Sequence, residues 1–101
     1  MMHYYQDSDR LVALHYAQQL NDPGALKIIE LGNVSSPEEA KILSKFYWAM
    51  VKASVEDRDD RGYEPFENMD KSLEGLHNTF SICIGNAGYE DIWDAIVDEI
   101  N

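Results

Sequence analysis

Apolar residues recur along this chain at intervals of three and four positions, the spacing that places them on one face of an α-helix. The first such face is formed by five residues: Val12, Ala13, Tyr16, Ala17 and Leu20. This pattern predicts a helix from about Ser8 to Leu20, with Asp7 or Ser8 as the residue that caps its N-terminus.

The segment Asn21-Asp22-Pro23-Gly24 interrupts this first helical pattern. Asp22 followed by Pro23 is typical of a helix start, because proline fits the first helical position and the aspartate can cap it. A short helix over Ala25–Leu31 is therefore predicted, closed by Gly32 and Asn33. Residues 27–31 also fit a strand, but the chain offers no second strand to pair with it, so the pattern favours the helix.

The clearest local signal is Ser36-Pro37-Glu38-Glu39, which combines an N-cap serine, a proline at the first position and a glutamate at the third. The helix that this capping box opens is predicted to run to about Val55 or slightly beyond. Its apolar stripe consists of Ala40, Leu43, Phe46, Tyr47, Met50 and Ser54, with Trp48, Val51 and Val55 beside it. An arc this wide indicates a central helix with neighbours on two sides.

Residues 56–65, with the sequence EDRDDRGYEP, are predicted to form a charged connector. A second long helix is predicted from about Phe66 to Ile84, and Gly75 inside it indicates a close crossing with another helix. Gly85-Asn86-Ala87-Gly88 ends that helix, and a last one is predicted from about Tyr89 to Ile100.

These elements predict an all-α fold, a compact bundle-like array of four or five helices with two long central helices. The length of 101 residues fits one domain over residues 1–101. Hydrophobic residues make up 45% of the chain, which is enough to build one core despite the high charge.

Of all the features of the composition, the formal net charge of −11 restricts the expected function the most. It argues against direct binding to a nucleic-acid backbone or to an anionic membrane, since both require a cationic surface. No apolar run approaches the ~20 residues of a membrane span, and the N-terminus lacks the pattern of a secretion signal. A cytoplasmic location is therefore expected.

Cys83 is the single cysteine and is expected to be a buried thiol.

The acidic residues are concentrated in two places. Residues 56–70 carry seven carboxylates and two arginines, and from Ser72 to the end there are six carboxylates without a lysine or arginine. Asp91, Asp94 and Asp98 are spaced to share one side of the last predicted helix. The candidate partner-binding residues are Asp57, Asp59, Asp60, Tyr63, Glu64, Phe66, Glu67, Asp91, Asp94 and Asp98, with Tyr63 and Phe66 as aromatic anchors.

This distribution supports the hypothesis of a small acidic inhibitor or regulator that occupies the basic surface of a protein partner. Such a partner would be a nuclease, a polymerase, a defence effector or a toxin, and the carboxylates would stand in for DNA phosphates. The alternative is that these carboxylates form a solvated surface that binds no partner. A different class of function is an assembly module that self-associates, for example as a homodimer, through the apolar arc of the Ser36–Val55 helix or through Tyr4 and Tyr5.

Catalytic and metal-binding patterns are weak in this sequence, so neither enzymatic activity nor a cofactor is expected, and a metal-dependent enzyme is the least favoured alternative. Asp57-x-Asp59 before Gly62 resembles the start of a calcium loop, but Arg61 and Asn68 occupy two of the positions that should bind the ion. Glu74-x-x-His77 has the spacing of a di-metal ligand pair in a helical bundle, but the second copy that such a site needs is not recognisable. His77 is therefore interpreted as a partly buried structural residue.

Overall fold

The protein is represented by a computed structural model, and residues 2–61 and 69–100 are described. Within those ranges the chain forms five helices and no strand: α1 (Asp7–Gln19), α2 (Pro23–Leu31), α3 (Pro37–Arg61), α4 (Met69–Asn86) and α5 (Glu90–Ile100). The predicted all-α, bundle-like fold is confirmed. No helix in these ranges is long and apolar enough to cross a membrane.

The boundaries of α2 follow the predicted chemistry. Asp22 accepts a hydrogen bond from the backbone N–H of Ala25 at 3.0 Å, and Pro23 occupies the first helical position. Gly32 closes the helix in the left-handed conformation at φ +72°, which glycine adopts without a steric penalty. The alternative of a strand over residues 27–31 is excluded.

The N-terminus of α1 differs from the prediction. Gln6, rather than Asp7 or Ser8, is the N-cap residue, and its side chain makes no capping hydrogen bond. Asp7 and Asp9 lie in the first turn, where negative charge interacts favourably with the positive end of the helix dipole. The helix therefore starts one residue earlier than the preferred capping residues indicate.

The capping box at α3 forms with one change. The Ser36 hydroxyl accepts from the backbone N–H of Glu39 at 3.2 Å, as predicted. The Glu39 carboxylate does not bond back to Ser36; it accepts from the hydroxyl of Ser35 at 2.7 Å and from the Ser35 backbone N–H at 2.8 Å. These two hydrogen bonds lower the pKa of Glu39, and the bond from the Ser35 hydroxyl contributes the most.

Ser35→Ala is expected to raise the pKa of Glu39 towards its ordinary value, because the carboxylate loses the hydroxyl that stabilises its charged form. In the wild-type protein the lowered pKa stabilises the fold above the unfolded-state pKa, and this contribution is lost as the pH falls through the folded-state pKa. An NMR titration of the Glu39 carboxyl carbon measures the change. Ser36→Ala is the control: it should loosen the start of α3 and leave the Glu39 titration nearly unchanged.

The long helix α3 extends six residues beyond the predicted end at Val55, and the predicted connector is wrong over residues 56–61. The physical reason lies in the sequence, since residues 38–61 contain neither glycine nor proline. High charge does not end a helix, and glutamate and arginine are good helix formers. The rest of the predicted connector, residues 62–65, lies outside the described residues.

Helix α3 is the centre of the array and packs against α1, α2, α4 and α5. Its predicted stripe is buried in full: Ala40, Leu43, Phe46, Tyr47, Met50 and Ser54. Helix α4 packs against α1, α3 and α5, so α3 and α4 lie between α1 and α5. The α3 stripe is consequently occupied within the chain, and it does not offer a face for a second copy.

Candidate functional site

The solvent side of α5 is the most acidic surface that the structure describes. Five of its eleven residues are exposed carboxylates, hereafter the α5 acidic face: Glu90, Asp91, Asp94, Asp98 and Glu99. On the opposite side of the helix, Trp93 and Ile96 are buried in the core. This division arises from the helical period, since residues three and four positions apart share a side.

The α5 carboxylates are not neutralised within the described part of the chain, where none of them lies within 4.0 Å of a cationic group. Their mutual repulsion costs a few tenths of a kcal/mol per pair, roughly. Asp98 and Glu99 also face the negative end of the helix dipole, whereas Glu90 and Asp91 lie at its favourable end. At Asp98 and Glu99 the chain thus keeps negative charge that does not stabilise α5.

A depression of about 480 Å³ lies between α4 and α5 at the N-terminal end of the α5 acidic face. The carboxylates of Glu90 and Asp94 line one side of it, and Ile82 of α4 lines the other. Ile82 is 52% exposed, although large apolar side chains usually avoid solvent. The depression is therefore lined both by carboxylates and by an exposed apolar side chain.

Beneath this depression lies a cluster of aromatic rings that holds its floor in place. The His77 ring is 5.3 Å from that of Trp93 and 5.4 Å from that of Tyr47, measured between centroids. The Tyr47 hydroxyl donates to the backbone carbonyl of Leu73 at 3.2 Å, and burial raises the pKa of Tyr47 to about 12. His77 is half-buried among these rings, as predicted.

Lysines of α3 bound the α5 acidic face at its other end. Lys45 and Lys52 line a second depression, of about 380 Å³, together with Trp48 and with Glu99 of α5. The surface charge thus changes sign between α5 and α3.

Asp57 does not belong to an acidic surface, and its inclusion among the partner-binding candidates is corrected by its burial. Only 7% of the residue is exposed, and its Oδ2 accepts from the Tyr16 hydroxyl and from Nε2 of Gln19, each at 3.2 Å. Because α3 continues past Val55, Asp57 faces α1 rather than solvent. Its carboxylate links the C-terminal half of α1 to α3.

The other connector candidates cannot be placed on a surface. Asp59 and Asp60 belong to α3, but their side chains are not described, and Tyr63, Glu64, Phe66 and Glu67 lie outside the described residues. The three candidates on α5, in contrast, are exposed together on one helix. Asp91, Asp94 and Asp98 therefore define the candidate site.

Sequence reasoning missed Asp9, which is 1% exposed and lies against α4. The signal was present, because Asp9 precedes Val12, Ala13 and Tyr16 at helical spacing and so shares their buried face. Gly75 was correctly linked to a close helix crossing: a Cβ atom there would lie 2.6 Å from Oδ2 of Asp9.

Two other candidate chemistries have little support from the geometry. Cys83 is buried, as predicted, and the burial raises the pKa of its thiol, which disfavours the reactive thiolate. Within residues 2–61 and 69–100, no group of three or more His, Cys, Asp or Glu side chains could hold a metal ion.

The fold and the site thus define an all-α protein with one strongly acidic helix face. Comparison with protein-family models, with curated proteins and with solved structures found no match to the chain.

Proposed function

We propose that this protein binds a basic protein partner through the α5 acidic face and thereby occupies a functional surface of that partner. The observation that carries the proposal is the set of five exposed carboxylates on α5, none of which lies within 4.0 Å of a cationic group in the described part of the chain. Partners of this kind include nucleases, polymerases, defence effectors and toxins, whose basic grooves bind nucleic acid. The protein then acts as an inhibitor or regulator that competes with the nucleic acid for the groove.

The depression beside Asp94 supports a protein partner rather than a purely solvated surface. Protein interfaces derive most of their binding energy from a few apolar or aromatic groups, with charged groups around them. Ile82 provides an exposed apolar group in the depression, and Glu90 and Asp94 provide charged groups beside it. An arginine or lysine side chain with an apolar stem matches both features.

Electrostatic attraction of this kind speeds association, and it weakens as salt screens the charges. The affinity for the partner is therefore expected to fall steeply between low and physiological ionic strength. Binding dominated by apolar contacts would change little over the same range.

The proposal is tested with the triple variant Asp91→Lys, Asp94→Lys and Asp98→Lys. We expect it to lose binding to the partner by at least about 100-fold, since three attractive charges become repulsive at the contact. Proteins captured from host extract by the wild-type protein are identified, and affinity for each purified candidate is then measured at two salt concentrations. Circular dichroism verifies that the helical content is unchanged.

The matched control is Glu30→Lys, Glu38→Lys and Glu56→Lys, which alters the net charge by the same amount at three exposed positions on other helices. If binding depends on the α5 acidic face, the control keeps most of its affinity. Equal losses in both triple variants would show that net charge alone governs binding, and normal binding by the α5 variant would refute the proposal.

A further inference from the structure

The carboxylate of Asp9 is buried, and one of its two oxygens lacks a hydrogen-bond donor within the described part of the chain. The residue is 1% exposed, and the oxygen without a donor is Oδ1. Burial removes the hydration of this oxygen, which costs free energy even though Asp9 lies in the first turn of α1, where the helix dipole favours negative charge. A ligand that supplied donors and positive charge would remove this penalty.

Gly75 of α4 leaves the space that this carboxylate occupies. A Cβ atom at position 75 would lie 2.6 Å from Oδ2 of Asp9, closer than a real contact allows. Glycine is a poor helix former, and Gly75 lies inside an 18-residue helix. Asp9 and Gly75 are each unfavourable for stability on their own. Together they allow a carboxylate to lie at the crossing of α1 and α4.

Asp9 lines an open depression of about 340 Å³ between the segment before α1 and helix α4. The polar groups around it are the carboxylate of Glu74, the side-chain amides of Gln6 and Asn78, the ring of Tyr5 and the ammonium of Lys71. Tyr5 is 64% exposed, so its ring is open to a ligand. The depression thus offers two carboxylates, two amides and one aromatic ring.

This set of groups favours an organic cation. A guanidinium is weakly hydrated, donates two parallel hydrogen bonds to a carboxylate and stacks on aromatic rings, whereas an ammonium is a compact and strongly hydrated charge. Desolvation at Asp9 and the exposed ring of Tyr5 both favour the guanidinium. We propose that the Asp9 depression is a binding site for a guanidinium group, with Asp9 as its main acceptor.

Lys71 is a cation in the same depression, and it does not lie within the 4.0 Å of Asp9 that would make an ion pair. Its ammonium therefore opposes a second cation more than it neutralises the carboxylate. Removing the Lys71 charge should tighten binding of the ligand.

This inference does not depend on the function proposed for the α5 acidic face. Within the described residues α1 makes no contact with α5, and α3 and α4 lie between them. The guanidinium has two possible sources, an arginine side chain of a protein or a small free molecule.

The site is tested by NMR titration of the full chain with acetyl-arginine amide, which imitates an arginine residue, and with free arginine. Acetyl-lysine amide is the matched control ligand. We expect saturable shifts of the backbone amides around Asp9 and Gly75, with at least a tenfold weaker response to the lysine compound. Tighter binding of the capped compound assigns the site to a protein's arginine, and tighter binding of free arginine assigns it to a small molecule.

Asp9→Asn should abolish these shifts, and Lys71→Gln should tighten binding several-fold. Asp9→Asn should also melt at or above the temperature of the wild-type protein, because it replaces a carboxylate whose buried Oδ1 lacks a donor with a neutral group of the same shape. The proposal would be overturned by any of three results. The arginine and lysine compounds could give equal responses, Asp9→Asn could bind as well as the wild type, or saturable shifts could be absent in both the wild type and Lys71→Gln.

Discussion

Asp57→Ala is expected to lower the free energy of unfolding by about 3 kcal/mol, the cost of breaking a buried, charge-assisted hydrogen-bond network. The Asp57 carboxylate accepts from both Tyr16 and Gln19, which lie on the last turns of α1, while Asp57 lies near the end of α3. Alanine removes the acceptor and leaves the buried Tyr16 hydroxyl without this hydrogen bond. Urea denaturation monitored by circular dichroism measures the change.

Glu56→Ala is the matched control for this substitution, since Glu56 is the preceding residue on α3 and is exposed. Its effect should stay within about 0.5 kcal/mol. Tyr16→Phe should cost about 1 kcal/mol, and the double variant Tyr16→Phe, Asp57→Ala should be less destabilised than the sum of the two. Strict additivity would show that the Tyr16 to Asp57 hydrogen bond contributes nothing to stability.

Gly75→Ala is expected to destabilise the protein by about 1 to 3 kcal/mol, although alanine is the better helix former. The new Cβ atom would meet Oδ2 of Asp9 at 2.6 Å, and the burial of Asp9 restricts the movement that would relieve the contact. In the Asp9→Ala background the obstacle is gone. There the same substitution should stabilise the protein by up to about 1 kcal/mol.

Gly85→Ala provides the control within the same helix, because a Cβ atom at position 85 meets nothing within 4 Å. It should be neutral or slightly stabilising in either background. If Gly75→Ala also stabilised the protein when Asp9 is present, the close crossing of α1 and α4 at this point would be disproved. Thermal and urea unfolding of the single and double variants distinguish these outcomes.

Local sequence signals predicted the starts of α2 and α3 well, because capping depends on residues within four positions of each other. Asp22 with Pro23 and Ser36 with Glu39 are such local sets. The end of α3 was predicted badly. The charge density of residues 56–61 favours a connector, but neither glycine nor proline interrupts the helix over residues 38–61.

The candidate site was predicted in part for the same reason. Asp91, Asp94 and Asp98 share one side of α5 because helical periodicity alone places them there, and the sequence was sufficient to find them. Asp57 was misplaced because its environment depends on α1, some forty positions away in the chain. A contact over that distance leaves no periodic trace around the residue.

The sequence alone determines the helical class, the number of elements, their apolar faces and the acidic side of α5. Each of these depends on the spacing of residues along a single helix. The packing of α1 against α3 and α4 was decided only in three dimensions. That packing encloses the carboxylates of Asp9 and Asp57. It places Asp9 against Gly75, and it brings two hydrogen-bond donors to Asp57. Periodicity determines which side of a helix a residue occupies, but the neighbouring helix determines whether a carboxylate on that side has a partner.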